Sequence, residues 1–366
     1  MSQVVIGIGF GDEGKGKTIS YLCSLSPKPD LCVRFSGGQQ AGHRVVVGKI
    51  DHVFSNFGSG TLQGVPTYWS KYCTIDPIGI LNELDVLKSK GIKPILYLDS
   101  HCPVTTPFDK HVNKYNDCIH QHGTCGVGVG QTWQREKDRY SLMVYDLQHP
   151  WILKEKLKLL TDNYYTEIKN KESLTEYFLY DCSELLRSVY ICNYPDMLKY
   201  KRILFEGSQG LLLDQNFGFF PHVTRSNTGL KNVVEMLNGE IPKVWLVTRA
   251  YQTRHGNGPM SNESILFSIN NHHEHNRDNK FQGRFRISPL DLDLLKYAIG
   301  KDEYIIRAKK NLVITCLDVM EEYILTINGK IFRYETEDRF IETIAMHLGI
   351  STYDVYLSHG PDTILL

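Results

Sequence analysis

Val4-Val-Ile-Gly-Ile-Gly-Phe-Gly-Asp-Glu-Gly-Lys-Gly-Lys-Thr18 is the stretch that decides the fold. A β-branched apolar run, Val4 to Gly9, gives way to a glycine-rich turn, and the pattern from Thr18 to Leu25 predicts a helix. Gly11-Asp-Glu-Gly-Lys-Gly-Lys17-Thr18 satisfies G-x-x-x-x-G-K-[ST], and strand, loop, helix is the context that this pattern needs. Glycines let backbone N–H groups turn toward a polyphosphate, the helix amino terminus adds partial positive charge, and a lysine here reaches phosphate oxygens. We therefore expect Gly11, Glu13, Gly14, Lys15, Gly16, Lys17 and Thr18 to bind a nucleotide. Asp12 stands out, because a carboxylate in a loop meant for anions costs energy unless it binds Mg²⁺ or takes a proton from a substrate. A solvated turn aspartate is the plainer alternative.

Working outward, apolar runs suited to buried parallel strands occur at Pro94–Leu98, Arg202–Phe205, Val244–Val247 and Leu312–Cys316. Amphipathic stretches, Pro77–Lys90 and Trp151–Leu160, lie between them. The expected class is α/β: a doubly wound, mainly parallel central sheet with a P-loop-like phosphate loop and helical and loop cap insertions. A Tyr, Lys and Glu-rich region from about 152 to 200 reads as helical cap, and 268–283 (SINNHHEHNRDNKFQG) reads as a polar, mobile surface loop. Ile95-Leu-Tyr-Leu-Asp99 has the outline of a magnesium-binding Walker B strand, yet any buried strand followed by Asp gives the same string. His272-His273-Glu274-His275 lacks the ligand spacing of zinc sites.

With 366 residues, 42% hydrophobic and 22% charged, the chain can bury a sizeable core, which excludes disordered and coiled-coil classes. Lys plus Arg and Asp plus Glu both number 41, so no global field recruits nucleic acid or an anionic membrane. Nine irregularly spaced cysteines without a CxxC read as reduced thiols. The first residues lack a basic n-region and a long apolar run. The expectation is a cytoplasmic protein, of a cell or of an infected host.

Beyond the phosphate loop come RFSGGQQAGH (34–43), GTCGVGVG (123–130), FEGSQGLLLD (205–214), FPHVTRSNT (220–228), RAYQTRHGNGP (249–259), GRFR (283–286), TCLD (315–318) and SHGPD (358–362). Together and in this order they resemble adenylosuccinate synthetases over nearly the whole chain, which implies one such domain across 1–366 with a helical cap subregion near 100–200. That family joins L-aspartate to the 6-oxo carbon of a purine nucleoside monophosphate through a 6-phosphoryl intermediate, consuming a nucleoside triphosphate. The resemblance implies that Asp12 removes the purine N1 proton and holds magnesium with the Gly42 carbonyl. It makes His43 the acid at the 6-oxygen, Lys17 the clamp on the transferring phosphoryl group and Gln209 the reader of the purine edge. Thr124 and Thr224 match threonines at the monophosphate, Gln40, Cys125 and Leu213 fall among the nucleotide-binding positions, and Arg139 matches an arginine supplied by the other subunit of a homodimer. Gln282, Arg284 and Arg286 match the aspartate site. Asp318, with Ser358, Gly360 and Pro361, matches the base pocket of the triphosphate, for which GTP is the first expectation and ATP or dATP remain open.

The chain also departs from the family pattern. Phe10 replaces Trp, Gln40 replaces Asn, Cys125 replaces Thr, Val127 replaces Arg, Cys316 replaces Lys, His255-Gly-Asn257 replaces Val-Gly-Ala, and Lys280-Phe-Gln282 replaces a threonine-rich loop. Catalytic matches are kept while substrate contacts move, which resembles the viral branch of 2-aminoadenylosuccinate synthases that use dGMP. Many members of that branch lack the loop aspartate kept here, so an ordinary short adenylosuccinate synthetase acting on IMP is the alternative. A P-loop kinase or GTP switch is the reading from another class.

Overall fold

A computed structural model describes residues 2–120, 126–197, 199–270, 274, 276, 283–362 and 364. Thr124, Cys125, Gln282, His272, His273 and His275 lie outside the described residues.

Fifteen strands are present among the described residues: β1 Gln3–Gly7, β2 Leu31–Arg34, β3 His43–Val47, β4 Ile50–Phe54, β5 Thr67–Trp69, β6 Leu96–Asp99, β7 Tyr190–Cys192, β8 Ile203–Gly210, β9 Lys243–Arg249, β10 Tyr251–His255, β11 Phe285–Asp291, β12 Lys310–Thr315, β13 Tyr323–Ile327, β14 Lys330–Tyr334 and β15 Val355–Leu357. Nine of them form one sheet in the order β15-β12-β9-β1-β8-β2-β5-β6-β7. Every neighbouring pair in it is parallel. An all-parallel sheet must be covered on both faces, which is why its central strands read as continuous apolar runs. Val4 and Ile6 pack with Phe205, Leu246 and Ile314 on one side, while Val5 packs with Leu204, Val247 and Val313 on the other. The predicted strands fall on β1, β6, β8, β9 and β12, and the predicted helices appear as Lys15–Ser24, Pro77–Ser89 and Pro150–Leu159.

Between β6 and β7 lie helices at Pro107–His120, Val129–Lys137, Pro150–Leu159 and Lys171–Ser188. A second sheet, β10-β11-β13-β14, stands beside the main one, and β3 and β4 form a separate hairpin. Ligands of open parallel sheets bind beyond the carboxyl ends of the strands, where the strand order switches direction. Here that rim carries the loops after β1, β2, β8 and β9. Strand β8 adds a bulge: Val5 faces Glu206 but Gly7 faces Gly210, so a step of two residues in β1 matches a step of four in β8. Such a bulge re-aims side chains. Ser208 and Gln209 fall within it, just after Glu206.

Candidate active site

The loop after β1 is shaped from within. Glu13 Oε1 accepts from the Gly9 and Gly11 amides at 3.1 and 2.8 Å, and Glu13 Oε2 from Lys15 Nζ at 2.6 Å. Both side chains are buried. The Glu13 and Lys15 side-chain charges satisfy each other and fix the loop, because a buried charge needs a partner at hand. Gly14, at φ +96°, precedes the helix Lys15–Ser24, and the Thr18 hydroxyl turns back to the Gly14 carbonyl at 3.1 Å. Gly16 permits a close approach, since a β-carbon there would lie 2.6 Å from His43 Cβ and 2.9 Å from Ser59 Oγ.

His43, the first residue of β3, is buried against that glycine. Its Nδ1 lies 2.5 Å from Glu206 Oε1, and its Nε2 lies 3.3 Å from the Ser208 carbonyl. Glu206 is fully buried and also accepts from the Ser59 hydroxyl, the Ser59 amide at 3.0 Å and the Cys32 thiol at 3.2 Å. Burial pushes the Glu206 carboxyl up, but the bond from His43 and the nearby Arg34 guanidinium outweigh it and bring it to about 2. Burial pushes His43 down, and despite Glu206 the imidazole sits below its ordinary value. Glu206 was not singled out by sequence reasoning.

Asp12 stands at φ +61°, a left-handed conformation in which non-glycine residues are uncommon. Its carbonyl accepts from Arg249 Nε at 2.6 Å, and its Oδ2 lies 3.3 Å from His255 Nε2. Burial pushes the Asp12 carboxyl up, and His255 with Arg249 reverses that to a net lowering. The polar loop meets the same cluster, because Glu274 Oε2 takes Arg249 Nη1 at 2.5 Å. Gln209 and Gln40 converge over Gly37, whose β-carbon would lie 3.0 Å from Gln209 Oε1 and 3.0 Å from Gln40 Nε2. Gln209 Oε1 is buried with no hydrogen-bond partner among the described residues. A buried acceptor in that condition wants a donor.

Lys17 reaches the carboxyl-terminal segment, donating to the Ser358 hydroxyl and the Gly360 carbonyl. Burial lowers its ammonium to about 8, against the attraction of Cys316, Asp318 and Asp362. The Leu317 amide bonds the Ser358 carbonyl at 3.2 Å, so the TCLD and SHGPD segments form one wall, with Asp318 and Pro361 exposed on it. Thr224 and Leu213 are joined by an amide-to-carbonyl bond of 2.8 Å. Arg139 sits on an exposed turn at φ +68°.

Arg286 differs from expectation in being engaged already: its guanidinium donates to the Gly256 and Gly258 carbonyls at 2.7 and 2.8 Å and to Glu263 at 2.9 Å. It braces the turn after β10, while Arg284 is exposed. Asp99 is spoken for by the Tyr68 hydroxyl and the His101 amide, and β6 stands four places from β1 in the sheet. That location gives no Walker B partner to the phosphate loop.

A parallel α/β sheet, a phosphate loop at its switch point and a buried Glu–His pair packed on that loop define a nucleotide-binding enzyme class. The chain matches the family model for adenylosuccinate synthetase over residues 4–349 and belongs to that family, whose members form C–N bonds as ligases. It is 30% identical to the adenylosuccinate synthetase of Thermoplasma volcanium over 95% of this chain and 82% of that protein. With that of Thermodesulfovibrio yellowstonii it shares 33% identity over 71% of this chain and 64% of the relative. Two solved structures share the fold. Fully ligated adenylosuccinate synthetase from Plasmodium falciparum superposes with a TM-score of 0.80 at 20% identity, covering 100% of this chain and 99% of that one. The cyanophage S-2L succinoaminodeoxyadenylate synthetase, bound to dGMP and to dATP as an energy donor, superposes with a TM-score of 0.67 at 16% identity, covering 98% and 93%.

Proposed function

We propose that this chain ligates L-aspartate to C6 of a 6-oxopurine nucleoside monophosphate, with dGMP as the preferred nucleotide. The observation that carries the reading is the His43–Glu206 pair packed on Gly16, with Asp12 and Gln209 on the neighbouring loops. A 6-oxo group leaves poorly, so it is phosphorylated first. Asp12 accepts the N1 proton and the 6-oxygen attacks the terminal phosphorus of the triphosphate. In its protonated form His43 donates Nδ1–H to Glu206 and Nε2–H to the oxygen on which charge develops, so the carboxylate both orients the ring and favours the imidazolium there. The aspartate amine then displaces phosphate from C6, and no covalent bond to the enzyme forms.

Asp12 and the Gly42 carbonyl offer hard oxygen donors, a set suited to Mg²⁺ that shares its remaining positions with phosphates and water. When bound, magnesium neutralises charge on the transferring phosphoryl group. Lys17, at the wall formed by Cys316, Asp318 and Ser358, is the cation for the triphosphate, GTP first. A second subunit contributing Arg139 completes the monophosphate site in this reading.

Preference for dGMP is supported by acceptors. The guanine edge brings N1–H and two N2–H donors, and burying donors unpaired costs about 1–3 kcal/mol. Asp12 takes N1–H, which IMP also has, and Gln209 Oε1, without a partner among the described residues, is the acceptor that can take an N2–H. IMP is the second reading, favoured by the relatives' names and the retained Asp12. Aspartate-dependent phosphate release, measured with IMP, dIMP, GMP and dGMP against GTP or ATP, tests the proposal. Phosphate release that needs no aspartate would point to a kinase or switch instead.

A further inference from the structure

The His255 imidazole stands beside Asp12. His255 closes β10, paired opposite Phe285 of β11, and the two rings pack with centroids 4.8 Å apart. The imidazole is thus delivered by a braced strand pair, which Arg286 ties further to the Gly256 and Gly258 carbonyls. From there Nε2 stands 3.3 Å from Asp12 Oδ2. On the other side Arg249 holds the Asp12 carbonyl, and Glu274 and Tyr251 hold Arg249. Backbone and one carboxylate oxygen of Asp12 are therefore both engaged.

We infer that His255 is a positioning residue for Asp12, fixing the carboxylate through Oδ2 so that Oδ1 alone is turned to the purine edge. The terminal torsion of an aspartate is broad, so an unrestrained carboxylate spends much of its time misdirected. Valine cannot donate a hydrogen bond and would leave that torsion loose. The inference rests on the reading of Asp12 as the base.

The test compares His255→Val, His255→Ala, His255→Gln and Asp12→Asn by steady-state kinetics with the best purine nucleotide at saturating aspartate and triphosphate. His255→Val and His255→Ala are expected to lower kcat about 10- to 100-fold, the scale of a small misplacement of a catalytic group, with the nucleotide KM within about threefold of wild type. His255→Gln, whose side-chain N–H can reach the same oxygen, should recover kcat to within about threefold of wild type. Using two apolar variants keeps the test decisive if one folds poorly. Wild-type kcat in either, or losses in Gln as large as in Val and Ala, would overturn the role of the hydrogen bond. An inactive Asp12→Asn beside an unimpaired His255→Val sinks this inference alone, whereas an active Asp12→Asn sinks the reading of Asp12 and this inference with it.

Discussion

Replacing Glu206 by Gln probes stability and chemistry at once. The carboxylate accepts from four donors: His43 Nδ1 and the Ser59 hydroxyl on Oε1, the Ser59 amide and the Cys32 thiol on Oε2. Glutamine keeps the volume but must aim its NH₂ at one of these pairs, setting donor against donor and leaving the buried Arg34 without its neighbouring anion. A carboxyl held at about 2 instead of the ordinary 4.5 corresponds to about 3 kcal/mol of preference for the ionised form in the folded state. Removing one member of a buried charged pair costs about 3–5 kcal/mol by comparison. Urea unfolding at pH 7 should thus find Glu206→Gln about 3 kcal/mol less stable. Because the folded-state value is depressed, this contribution is complete above pH 4.5 and is lost as pH falls toward 2, so the gap between the proteins narrows only on that acid side. Turnover should fall about 10²-fold or more, since His43 loses the partner that directs Nε2 to substrate. A variant within about 0.5 kcal/mol of wild type and with unchanged turnover refutes the reasoning.

Asp12→Asn and His43→Asn should each lose about 10²-fold or more in kcat, and near-wild-type turnover in either removes it from the mechanism. Lys17 is charged below its lowered value of about 8, so kcat/KM for the triphosphate should decline as pH rises through that value; Lys17→Arg should carry the decline to higher pH, and an unmoved profile would exclude this lysine. Arg284→Leu should raise the aspartate KM with unfolding unchanged, whereas Arg286→Leu, by freeing the Gly256 and Gly258 carbonyls, should raise that KM and also lower stability by about 1–3 kcal/mol. Equal stability for the two variants would contradict the bracing role of Arg286.

The phosphate loop and its flanking elements were legible because glycines at fixed spacing between an apolar run and a helix have one good structural solution. The buried strands β6, β8, β9 and β12 were legible for the same reason, continuous apolar runs. Strand β2 and strand β5 were not, being four and three residues long with no period to read. Strand β10, Tyr-Gln-Thr-Arg-His, carries no apolar run, yet Gln252, Thr253 and Arg254 are buried: Gln252 donates to Ser288 across the strand pair, Thr253 to the Gly11 carbonyl, and Arg254 to the Pro259 and His222 carbonyls. Glu206 hid differently: it is one acidic residue in an apolar run, and its partner His43 is 163 positions away. No local spacing announces such a pair. Glu274 stood in a segment read as a polar surface loop, where it was weighed only as part of a histidine string without zinc spacing, and its bond to Arg249 depends on tertiary placement.

The most direct test of the proposed reaction is an internal competition: equimolar IMP and dGMP with limiting enzyme, L-aspartate and GTP, the two succinylated nucleotides being quantified by mass spectrometry at low conversion. Their ratio is the ratio of kcat/KM values whatever the absolute rates. Excess of the 2-amino-2′-deoxy product by at least about tenfold, equivalent to about 1.4 kcal/mol of differential transition-state binding, is the predicted result. Excess of adenylosuccinate by the same measure would contradict the dGMP preference, and formation of neither product would contradict the ligase reading of the site.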